Sequence, residues 1–391
     1  MLTDRIGRIT PSATLAMTAK AAELRDKGVD VINLSVGEPD FPTPENIRQA
    51  GKRAIDEGQT RYTPGGGTMA LKKAASEKMA RDNDLHYIPG EILISCGGKH
   101  SLYNACQVLF QTGDEVIIFA PYWVSFPDFV AVTGATPVFV NTDSSRQFEP
   151  VFKDLKAKIN SRTKGIIINS PSNPTGGVWK DEAVLEVLEI AREFDTWVFS
   201  DECYEQLTYD HPYVSTAMLA EKGEKVLTFQ SCSKTYAMTG WRIGYTAGDK
   251  NVIKAMGKLQ GQSTSCPNSI AQAAAIEALT GDQSEVKRMR DIFKKRRDYI
   301  VNRLNHMEGV SCDTPGGAFY VFPDFGSYMG EDRKIKSSND LSMYLLEQKA
   351  VVTVAGDAFG GEGHVRFSYA ASDENLDRAM GLLEETLKEL A

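Results

Sequence analysis

From residue 68 to residue 280 the chain alternates short apolar, β-branched runs with segments of helical periodicity. Strands are predicted at Ile92–Ser95, Glu115–Phe119, Thr136–Val140, Gly165–Asn169, Thr196–Asp201, Lys225–Gln230 and Arg242–Ala247. Helices are predicted at Thr68–Arg81, Ser101–Phe110, Asp181–Glu193 and Ser269–Thr280. Several strands are apolar on both faces, which is typical of a sheet covered on both sides by helices. The alternation therefore predicts an α/β fold.

The pattern changes after Gly281. Residues 283–307 form one long charged segment whose apolar side chains recur close to the helical period, so a long helix is predicted there. Short strands are predicted beyond it at Ala318–Phe322, Val351–Val354 and Val365–Ser368, followed by a terminal helix from Glu374. These elements indicate a smaller α+β unit. The segment up to about Asp40 is too short for a domain, and we expect it to pack against this unit or against another subunit.

Composition excludes several classes of function. The 391 residues carry a formal net charge of −8, so the chain has no general attraction to nucleic acid. No apolar run approaches the roughly 18–20 residues that span a bilayer, and the N-terminus lacks the apolar core of a signal peptide. The six cysteines are scattered without the spacing of a zinc site. We expect a cytoplasmic protein with free thiols and no bound metal.

The segment SCSKTYAMTGWRIGY, residues 231–245, contains the first candidate chemistry. Lys234 lies beside the hydroxyl residues Ser231 and Ser233, and burial or a neighbouring charge makes such a lysine a nucleophile towards carbonyl groups. Arg242 follows in the same segment, and a guanidinium near serine hydroxyls suits a phosphate group. Taken alone, Lys234 would be an ordinary surface lysine, so its interpretation depends on other segments.

Two such segments place polar groups at the ends of predicted strands. NSPSNPTGG, residues 169–177, forms a tight turn in which Asn173 can donate to a ring oxygen, although a plain turn is the alternative. FSDECYEQL, residues 199–207, places Asp201 at the end of an apolar strand, where a buried carboxylate needs a cation. A protonated pyridine nitrogen would serve, with Tyr204 near the phenolic oxygen of the ring. The alternative for Asp201 is a helix N-cap.

A glycine pair and a tryptophan add weaker signals. Gly97 and Gly98 precede the helix predicted from Ser101, and backbone N–H groups at a helix start bind phosphate well. Most glycine pairs, however, only form turns. Trp123, after the strand that ends at Phe119, could stack on a flat ring or could simply belong to the core.

Together these segments resemble the fold-type I aminotransferases that use pyridoxal 5′-phosphate (PLP), and within class I the bacterial aspartate aminotransferase branch, which includes aspartate/prephenate aminotransferases. The motifs that carry the resemblance are VGEPDF (36–41), TRYTPGGG (60–67), SCGGKH (95–100), PYW (121–123), NSPSNPTG (169–176), SDECYE (200–205), SKTYAMTGWRIGY (233–245) and HVRFSYA (364–370). Each is weak alone, but they follow the family order and span nearly the whole chain.

The resemblance implies a large PLP-binding domain, residues 46–281, with a mostly parallel seven-stranded sheet covered by helices. Residues 1–45 and 282–391 would form the smaller α+β domain.

The resemblance also implies roles for individual residues in binding PLP. Lys234 would carry the cofactor as a Schiff base and move a proton between Cα and C4′. Asp201 would pair with the pyridinium nitrogen, Asn173 and Tyr204 would contact the ring oxygen, and Trp123 would stack on the ring. The implied phosphate ligands are the Gly98–Lys99 backbone, Ser231, Ser233 and Arg242. In this family the residue at the position of Tyr62 reaches the phosphate bound by the other subunit, which implies an obligate homodimer with shared active sites.

The implied substrate groups are an amino acid and a 2-oxo acid. Arg366 would hold the α-carboxylate through two hydrogen bonds, with a backbone contact from Gly37 and with Trp123 and Asn173 alongside. For a second carboxylate, the PSxT segment with Ser12 and Thr14 and the lysine of the GGK motif, Lys99, are candidates. A solvated Lys99 and a helix-capping Ser12 are the alternatives. Arg288 and Arg290 are weaker candidates for the same task.

The leading hypothesis is therefore transfer of the amino group of L-aspartate to 2-oxoglutarate by a ping-pong mechanism, with prephenate as a further acceptor. Aminotransferases for aromatic amino acids, alanine or kynurenine would share the cofactor motifs, and so would a PLP-dependent lyase. A ligand sensor on this fold would need an added DNA-binding domain, for which the N-terminal segment is too short. A dinucleotide-binding enzyme is disfavoured because no clean GxGxxG follows a strand.

Overall fold

The computed structural model of the protein describes residues 2–11 and 13–390, with the side chains of residues 13–16 and 18 outside that description. The α-helices are α1 (Ala13–Asp26), α2 (Glu45–Asp56), α3 (Met69–Asn83), α4 (Gly98–Leu109), α5 (Phe126–Ala131), α6 (Phe152–Lys158), α7 (Asp181–Glu193), α8 (Thr216–Leu219), α9 (Cys232–Thr235), α10 (Lys250–Ser263), α11 (Ser269–Thr280), α12 (Ser284–Asn305), α13 (Ser338–Lys349) and α14 (Asp373–Leu390). The strands are β1 (Ile32–Asn33), β2 (Ile92–Ser95), β3 (Glu115–Ala120), β4 (Thr136–Asp143), β5 (Glu149–Pro150), β6 (Thr163–Asn169), β7 (Trp197–Asp201), β8 (Val226–Ser231), β9 (Gly244–Ala247), β10 (Tyr320–Val321), β11 (Val351–Val352), β12 (Val354–Ala355) and β13 (Val365–Ser368). No helix in these ranges is both long and apolar enough to cross a membrane.

A twisted sheet with the strand order β2-β9-β8-β7-β6-β3-β4-β5 forms the centre of the larger unit. The pairs β4–β3, β3–β6, β6–β7 and β7–β8 are parallel, whereas β9 is antiparallel to both of its neighbours. The α/β fold and its mostly parallel seven-stranded sheet are thus confirmed, with the two-residue edge strand β5 as an eighth member. The apolar runs in β3, β6 and β8 are buried because helices cover both faces of the sheet.

The order of the strands creates a crevice at their carboxyl ends. From β6 the chain adds β7 and β8 on one side, whereas β3 and β4 lie on the other side. Loops that leave adjacent strands in opposite directions open a gap between them, which is where open α/β sheets bind ligands. The carboxyl ends of β6, β7 and β8 are Asn169, Asp201 and Ser231, so three of the predicted motifs meet at one edge of the sheet.

A second unit lies beside this crevice. Its antiparallel sheet has the order β10-β13-β12, and its core contains Phe293 of α12, Phe319, Phe367 and Leu383 of α14. The N-terminal segment joins this unit because β1 pairs in parallel with β11, and Leu34 enters the same core. Packing of the N-terminal segment against the C-terminal unit, one of the two expected arrangements, is therefore what the structure contains. The domain limits 46–281 and 282–391 stay a prediction.

The structure departs from the sequence prediction mainly where the backbone turns sharply. Helix α4 begins at Gly98 rather than near Ser101, because Gly97 adopts a φ of 92° and turns the chain directly into the helix. Strand β9 begins at Gly244 rather than at Arg242, because Arg242 has the left-handed φ of 59° and cannot continue a strand. The short helix α9, which carries Lys234, is not apparent in the sequence pattern.

Candidate active site

A cavity of about 310 Å³ opens at the carboxyl edge of the central sheet, within the range of small-molecule sites. Its lining joins both units and the N-terminal segment. The residues that line it are Gly37, Gly98, Lys99, Leu102, Trp123, Val124, Ser125, Asn169, Asn173, Asp201, Cys203, Tyr204, Phe229, Gln230, Ser231, Ser233, Lys234, Arg242, Tyr320 and Arg366. Most of the sequence-predicted site residues therefore surround one cavity.

The start of α4 supplies backbone N–H groups at one end of the cavity. The first N–H groups of a helix have no acceptor within the helix, so Gly98 and Lys99 can offer theirs to an anion. Close packing at this point requires glycine. A Cβ at Gly97 would clash with the guanidinium of Arg242, and a Cβ at Gly244 would lie 2.6 Å from the carbonyl carbon of Gly97.

Two serines and an arginine surround the same end. Ser231, the last residue of β8, accepts a hydrogen bond from the N–H of Ser233 at 3.1 Å. The guanidinium of Arg242 donates to the carbonyl oxygens of Thr239 at 2.7 Å and Cys96 at 3.4 Å. These two hydrogen bonds hold a permanent positive charge beside the helix start. Hydroxyls, a guanidinium and free N–H groups together form a binding site for a phosphate group.

Lys234 lies on α9, and its Nζ donates a hydrogen bond to the carbonyl oxygen of Gly37 in the N-terminal segment. Burial lowers the pKa of Lys234, while the Cys203 thiol and Glu38 oppose this shift and the charge of Arg242 adds to it. A lysine with a lowered pKa has a larger fraction of neutral amine at neutral pH. Neutral amine is the form that attacks a carbonyl carbon or accepts a proton.

Asp201 ends β7 and is 6% exposed. Burial raises the pKa of Asp201 to about 7, against the effect of a hydrogen bond from the N–H of Cys203 to its Oδ1. The neighbouring Glu202 contributes to the raised pKa. The charge of Lys234 lowers this pKa, but among the described residues no basic side chain hydrogen-bonds to Asp201. A cation from outside the chain that paired with the carboxylate would favour its ionised form further.

Arg366, on β13, approaches the cavity from the second unit and is 1% exposed. Its Nη1 donates to Oδ1 of Asn173 at 2.8 Å, and its Nη2 donates to the carbonyl oxygen of Ser35 at 2.6 Å. Its Nε is buried and has no hydrogen-bond partner in the described structure. The guanidinium lies 4.6 Å from the ring centroid of Tyr320. A buried cation with neutral partners and a free donor is suited to a carboxylate ligand.

Tyr204 and Trp123 supply the aromatic groups that the sequence predicts. The hydroxyl of Tyr204 lies 2.8 Å from that of Tyr320, and both side chains are buried. Trp123 packs edge-on against Phe126, at 5.4 Å between ring centroids. Both Tyr204 and Trp123 line the cavity, which is consistent with a flat ligand in contact with them.

Lys99 lies in the first turn of α4 with its Nζ 4.8 Å from the ring centroid of Trp123. Burial lowers the pKa of Lys99, and the charge of Arg242 lowers it further, while Asp128 has the opposite effect. Lys99 remains exposed to solvent, as a lysine at a helix start usually is, but its charged end lies against the Trp123 ring. It adds a basic side chain to a lining that also contains Lys234, Arg242 and Arg366.

Several predicted residues lie elsewhere. Tyr62 is 90% exposed and is not part of this chain's own cavity lining. Ser12 lies outside the described residues, and Thr14 belongs to α1 with its side chain outside the description. Arg288 pairs with Glu285 at 2.8 Å and does not line the cavity. Arg290 likewise does not line it.

Sequence reasoning missed a group of buried residues around the cavity. Tyr320 lies within an apolar run that reads as core, so no local pattern distinguishes it. Gln230 accepts a hydrogen bond from Lys78 at 2.9 Å and donates one to Glu202 at 3.2 Å, which joins the sheet behind Asp201 into a polar network. The only sequence signal for this network is the presence of charged residues next to motif residues.

The comparisons with known proteins agree on one family. The model of aminotransferase class I and II matches residues 29–383. The chain belongs to this family. It is 45% identical over 390 residues to the aspartate/prephenate aminotransferase of Cereibacter sphaeroides, covering 98% of each chain. The solved aspartate aminotransferase from Thermus thermophilus with maleate is 40% identical, with a TM-score of 0.94 over 98% of this chain and 99% of that chain. The alanine aminotransferase from Pyrococcus furiosus is 32% identical, with a TM-score of 0.93 over both whole chains.

Membership in this family makes the protein a PLP-dependent transaminase, and the cavity of this aminotransferase fits the cofactor. The α4 start with Ser231, Ser233 and Arg242 suits the phosphate. The buried carboxylate of Asp201 suits a protonated ring nitrogen, and Lys234 suits the aldehyde. Together these features match three parts of PLP, namely its phosphate, its ring nitrogen and its aldehyde.

The close contact at Gly244 leads to a first prediction. In Gly244→Ala the new Cβ pushes the start of α4 away from β9, so the dissociation constant for PLP should rise roughly tenfold, as is common for overpacking. Equilibrium titration with PLP, followed by absorbance, measures this constant. Gly381→Ala is the control, because a Cβ at Gly381 has no heavy atom within 4 Å. Equal dissociation constants for the two variants would contradict the assignment of the phosphate site to the start of α4.

Proposed function

We propose that this aminotransferase moves the amino group of L-aspartate to 2-oxoglutarate, giving oxaloacetate and L-glutamate, and that it also accepts prephenate. The observation that carries the proposal is the pair of cations, Arg366 and Lys99, in the lining of the cavity that also contains Lys234. Two cations suit the two carboxylates of aspartate, glutamate and their oxo acids. The names of relatives support this choice, since they include aspartate, prephenate and the dicarboxylate maleate.

The residues that would hold PLP are those at the edge of the sheet. The backbone N–H groups of Gly98 and Lys99 would bind the phosphate, together with the side chains of Ser231, Ser233 and Arg242. Asp201 would keep the proton on the ring nitrogen. Asn173 and Tyr204 would hydrogen-bond the phenolic oxygen, and Trp123 would lie against the ring. When bound, PLP supplies an electron sink for the electron pair left at the substrate Cα.

Arg366 would bind the substrate α-carboxylate, together with Asn173 and the backbone of Gly37. Its hydrogen bonds to Asn173 and Ser35 already fix the plane of the guanidinium. A fixed guanidinium orients a carboxylate through paired hydrogen bonds, so the Cα–H bond would be held in one direction. Trp123 would restrict the position of the substrate on the side away from Arg366.

Lys234 would move the proton. Its Nζ, with a lowered pKa, can accept the proton from the substrate Cα as a neutral amine and return it to the adjacent carbon of the cofactor. The hydrogen bond to Gly37 would keep Nζ near the substrate backbone contact. The oxo acid product leaves before the second substrate binds, so ping-pong kinetics are expected.

Specificity for a second carboxylate would come from Lys99. Its charge lies over Trp123 and would reach the distal carboxylate of aspartate or glutamate. Ser12 and Thr14 would add hydroxyl groups, as the PSxT segment suggests. This assignment separates the α-carboxylate site, shared by all substrates, from the site that selects among them.

The protein is further proposed to act in the cytoplasm as a homodimer with shared active sites. Tyr62 is 90% exposed. An exposed large aromatic residue in the TRYTPGGG motif is consistent with a contact to the phosphate site of a second copy. We propose that Tyr62 makes this contact.

The second candidate is an aminotransferase that prefers other amino acids. The alanine aminotransferase from Pyrococcus furiosus has nearly the same fold, so the fold alone does not choose the substrate. The presence of Lys99 in the cavity lining favours a dicarboxylate over alanine, because its charge can pair with a second carboxylate, whereas a methyl side chain offers it no partner.

The reaction itself is tested by half-reactions. Addition of L-aspartate or L-glutamate to the PLP-loaded enzyme should replace its visible absorbance band with the near-ultraviolet band of the aminated cofactor. Oxaloacetate, 2-oxoglutarate and prephenate, added separately to the aminated enzyme, should each restore the visible band. A band that does not respond to glutamate would indicate a lyase, and a stronger response to alanine than to aspartate would indicate the second candidate.

Replacement of the proposed lysine nucleophile is the next prediction. Lys234→Ala should remove the visible band due to the lysine-bound cofactor, because the covalent link is lost. Turnover should fall by roughly 10²- to 10⁴-fold, because the proton transfer is lost. Absorbance spectra and initial rates measure the two effects. Lys250→Ala, an exposed lysine at the start of α10, is the control. An undiminished visible band in Lys234→Ala would refute the assignment.

The specificity model predicts an effect that depends on the substrate. Lys99→Ala should raise KM for L-aspartate roughly tenfold to a hundredfold, the usual effect of losing a charge-assisted hydrogen bond, and should change KM for L-alanine much less. Steady-state kinetics with both amino donors gives the comparison. Lys250→Ala again serves as control, because it removes a lysine from a helix start outside the cavity. Equal effects on both donors would contradict the model.

A further inference from the structure

Tyr320 touches two of the functional groups of the cavity at once. It lies on β10, is fully buried, and pairs across the sheet with Ser368 on the strand that carries Arg366. Its ring centroid lies 4.6 Å from the guanidinium carbon of Arg366, and its hydroxyl lies 2.8 Å from the hydroxyl of Tyr204. The ring and the hydroxyl therefore contact different partners.

The position of the Tyr320 hydroxyl is tightly restricted. A Cβ at Gly37 would lie 2.8 Å from it, so only glycine at that position leaves room for the hydroxyl. Among the described residues, the hydroxyl of Tyr204 is its hydrogen-bond partner. The two rings meet nearly at right angles, with 5.8 Å between centroids. The hydroxyl pair is thus a fixed contact between the two units of the chain.

The number of hydroxyl protons determines which of the two tyrosines donates the hydrogen bond. Each tyrosine hydroxyl has one proton to donate. If Tyr204 donates to the phenolic oxygen of PLP, its proton is no longer available for Tyr320. The hydrogen bond between the hydroxyls then requires Tyr320 as the donor and the Tyr204 oxygen as the acceptor.

We propose that Tyr320 is a positioning residue whose hydroxyl donates to Tyr204 and directs the Tyr204 proton towards the phenolic oxygen of the cofactor. This inference rests on the proposed role of Tyr204. A hydroxyl that accepts a hydrogen bond is a stronger donor in its own right. Tyr320 therefore strengthens the hydrogen bond to the phenolic oxygen through Tyr204.

The electrostatic surroundings agree with this direction. Burial raises the pKa of Tyr320 to about 12, an effect that the Arg366 guanidinium reduces, and burial also raises the pKa of Tyr204. The Arg366 guanidinium lies 4.6 Å from the Tyr320 ring centroid, and a positive charge at this position makes the Tyr320 hydroxyl a better donor. The titratable and charged groups that face the two hydroxyls and Lys234 are Glu38, Asp201, Cys203, Arg242 and Arg366.

The test uses the pH midpoint of the visible absorbance band of the PLP-loaded enzyme, which reports the proton on the link between Lys234 and the cofactor. A hydrogen bond to the phenolic oxygen stabilises its anionic form and so favours loss of that proton. Tyr320→Phe keeps the ring beneath Arg366 but removes the donor, so the midpoint should rise by roughly half a pH unit to one unit. Tyr369→Phe is the matched control, since Tyr369 is equally buried, its hydroxyl is hydrogen-bonded to Ala318, and it does not line the cavity.

The dependence on Tyr204 is tested in a double-mutant cycle. Tyr204→Phe alone should raise the midpoint more than Tyr320→Phe does, and adding Tyr320→Phe to it should give no further rise. An unchanged midpoint in Tyr204→Phe would contradict the proposed role of Tyr204. A raised midpoint in Tyr204→Phe, with none in Tyr320→Phe or with the same rise in both backgrounds, would overturn only the inference about Tyr320.

A substitution that should shift the pH midpoint in the opposite direction, while keeping the hydroxyl in place, provides a second test. Replacement of Tyr320 by 3-fluorotyrosine makes the hydroxyl more acidic and therefore a better donor. The midpoint should fall, whereas it should rise in Tyr320→Phe. A rise or no change with the fluorinated residue would show that Tyr320 does not act as a donor to Tyr204.

Discussion

A buried guanidinium joins three parts of the chain at the cavity. Arg366 belongs to the second unit, Asn173 to the loop after β6 of the central sheet, and Ser35 to the N-terminal segment. Removing a charge from water is costly, and two neutral oxygens compensate for it only in part. Arg366 therefore links the two units, and its Nε, which has no partner in the described structure, would be available to an acidic ligand.

The same requirement explains the other charged groups around the cavity. Burial shifts the pKa of Asp201 upwards and that of Lys234 downwards, so each is driven towards its neutral form. A cofactor with a protonated ring nitrogen and an aldehyde would relieve both effects, because it would give the carboxylate a cation and the amine a covalent partner. The glycines at 97 and 244 serve this arrangement by letting helix α4, strand β9 and Arg242 meet closely.

Much of this arrangement can be predicted from the sequence because it is local. The apolar runs of the central strands, the glycine pair before α4 and the loops that follow β6, β7 and β8 each have a recognisable pattern within about ten residues. The resemblance to the family implied that Asn173, Asp201 and Lys234 share one site, and the parallel strands bring them together because their carboxyl ends lie at one edge of the sheet. Tyr320 and the network of Lys78, Gln230 and Glu202 have no such pattern, since buried polar residues within apolar runs look like any other core position.

By itself, the sequence determined the α/β fold, the aminotransferase family and the residues suited to PLP, because these depend on periodicity and on short motifs in a fixed order. Only the tertiary structure decided which distant groups touch: Arg366 with Asn173, Lys234 with Gly37, and Tyr204 with Tyr320, pairs separated by 193, 197 and 116 residues. Contacts of this kind depend on how the second unit and the N-terminal segment pack against the sheet. That packing arises from a core shared by residues far apart in the chain, which no local pattern specifies.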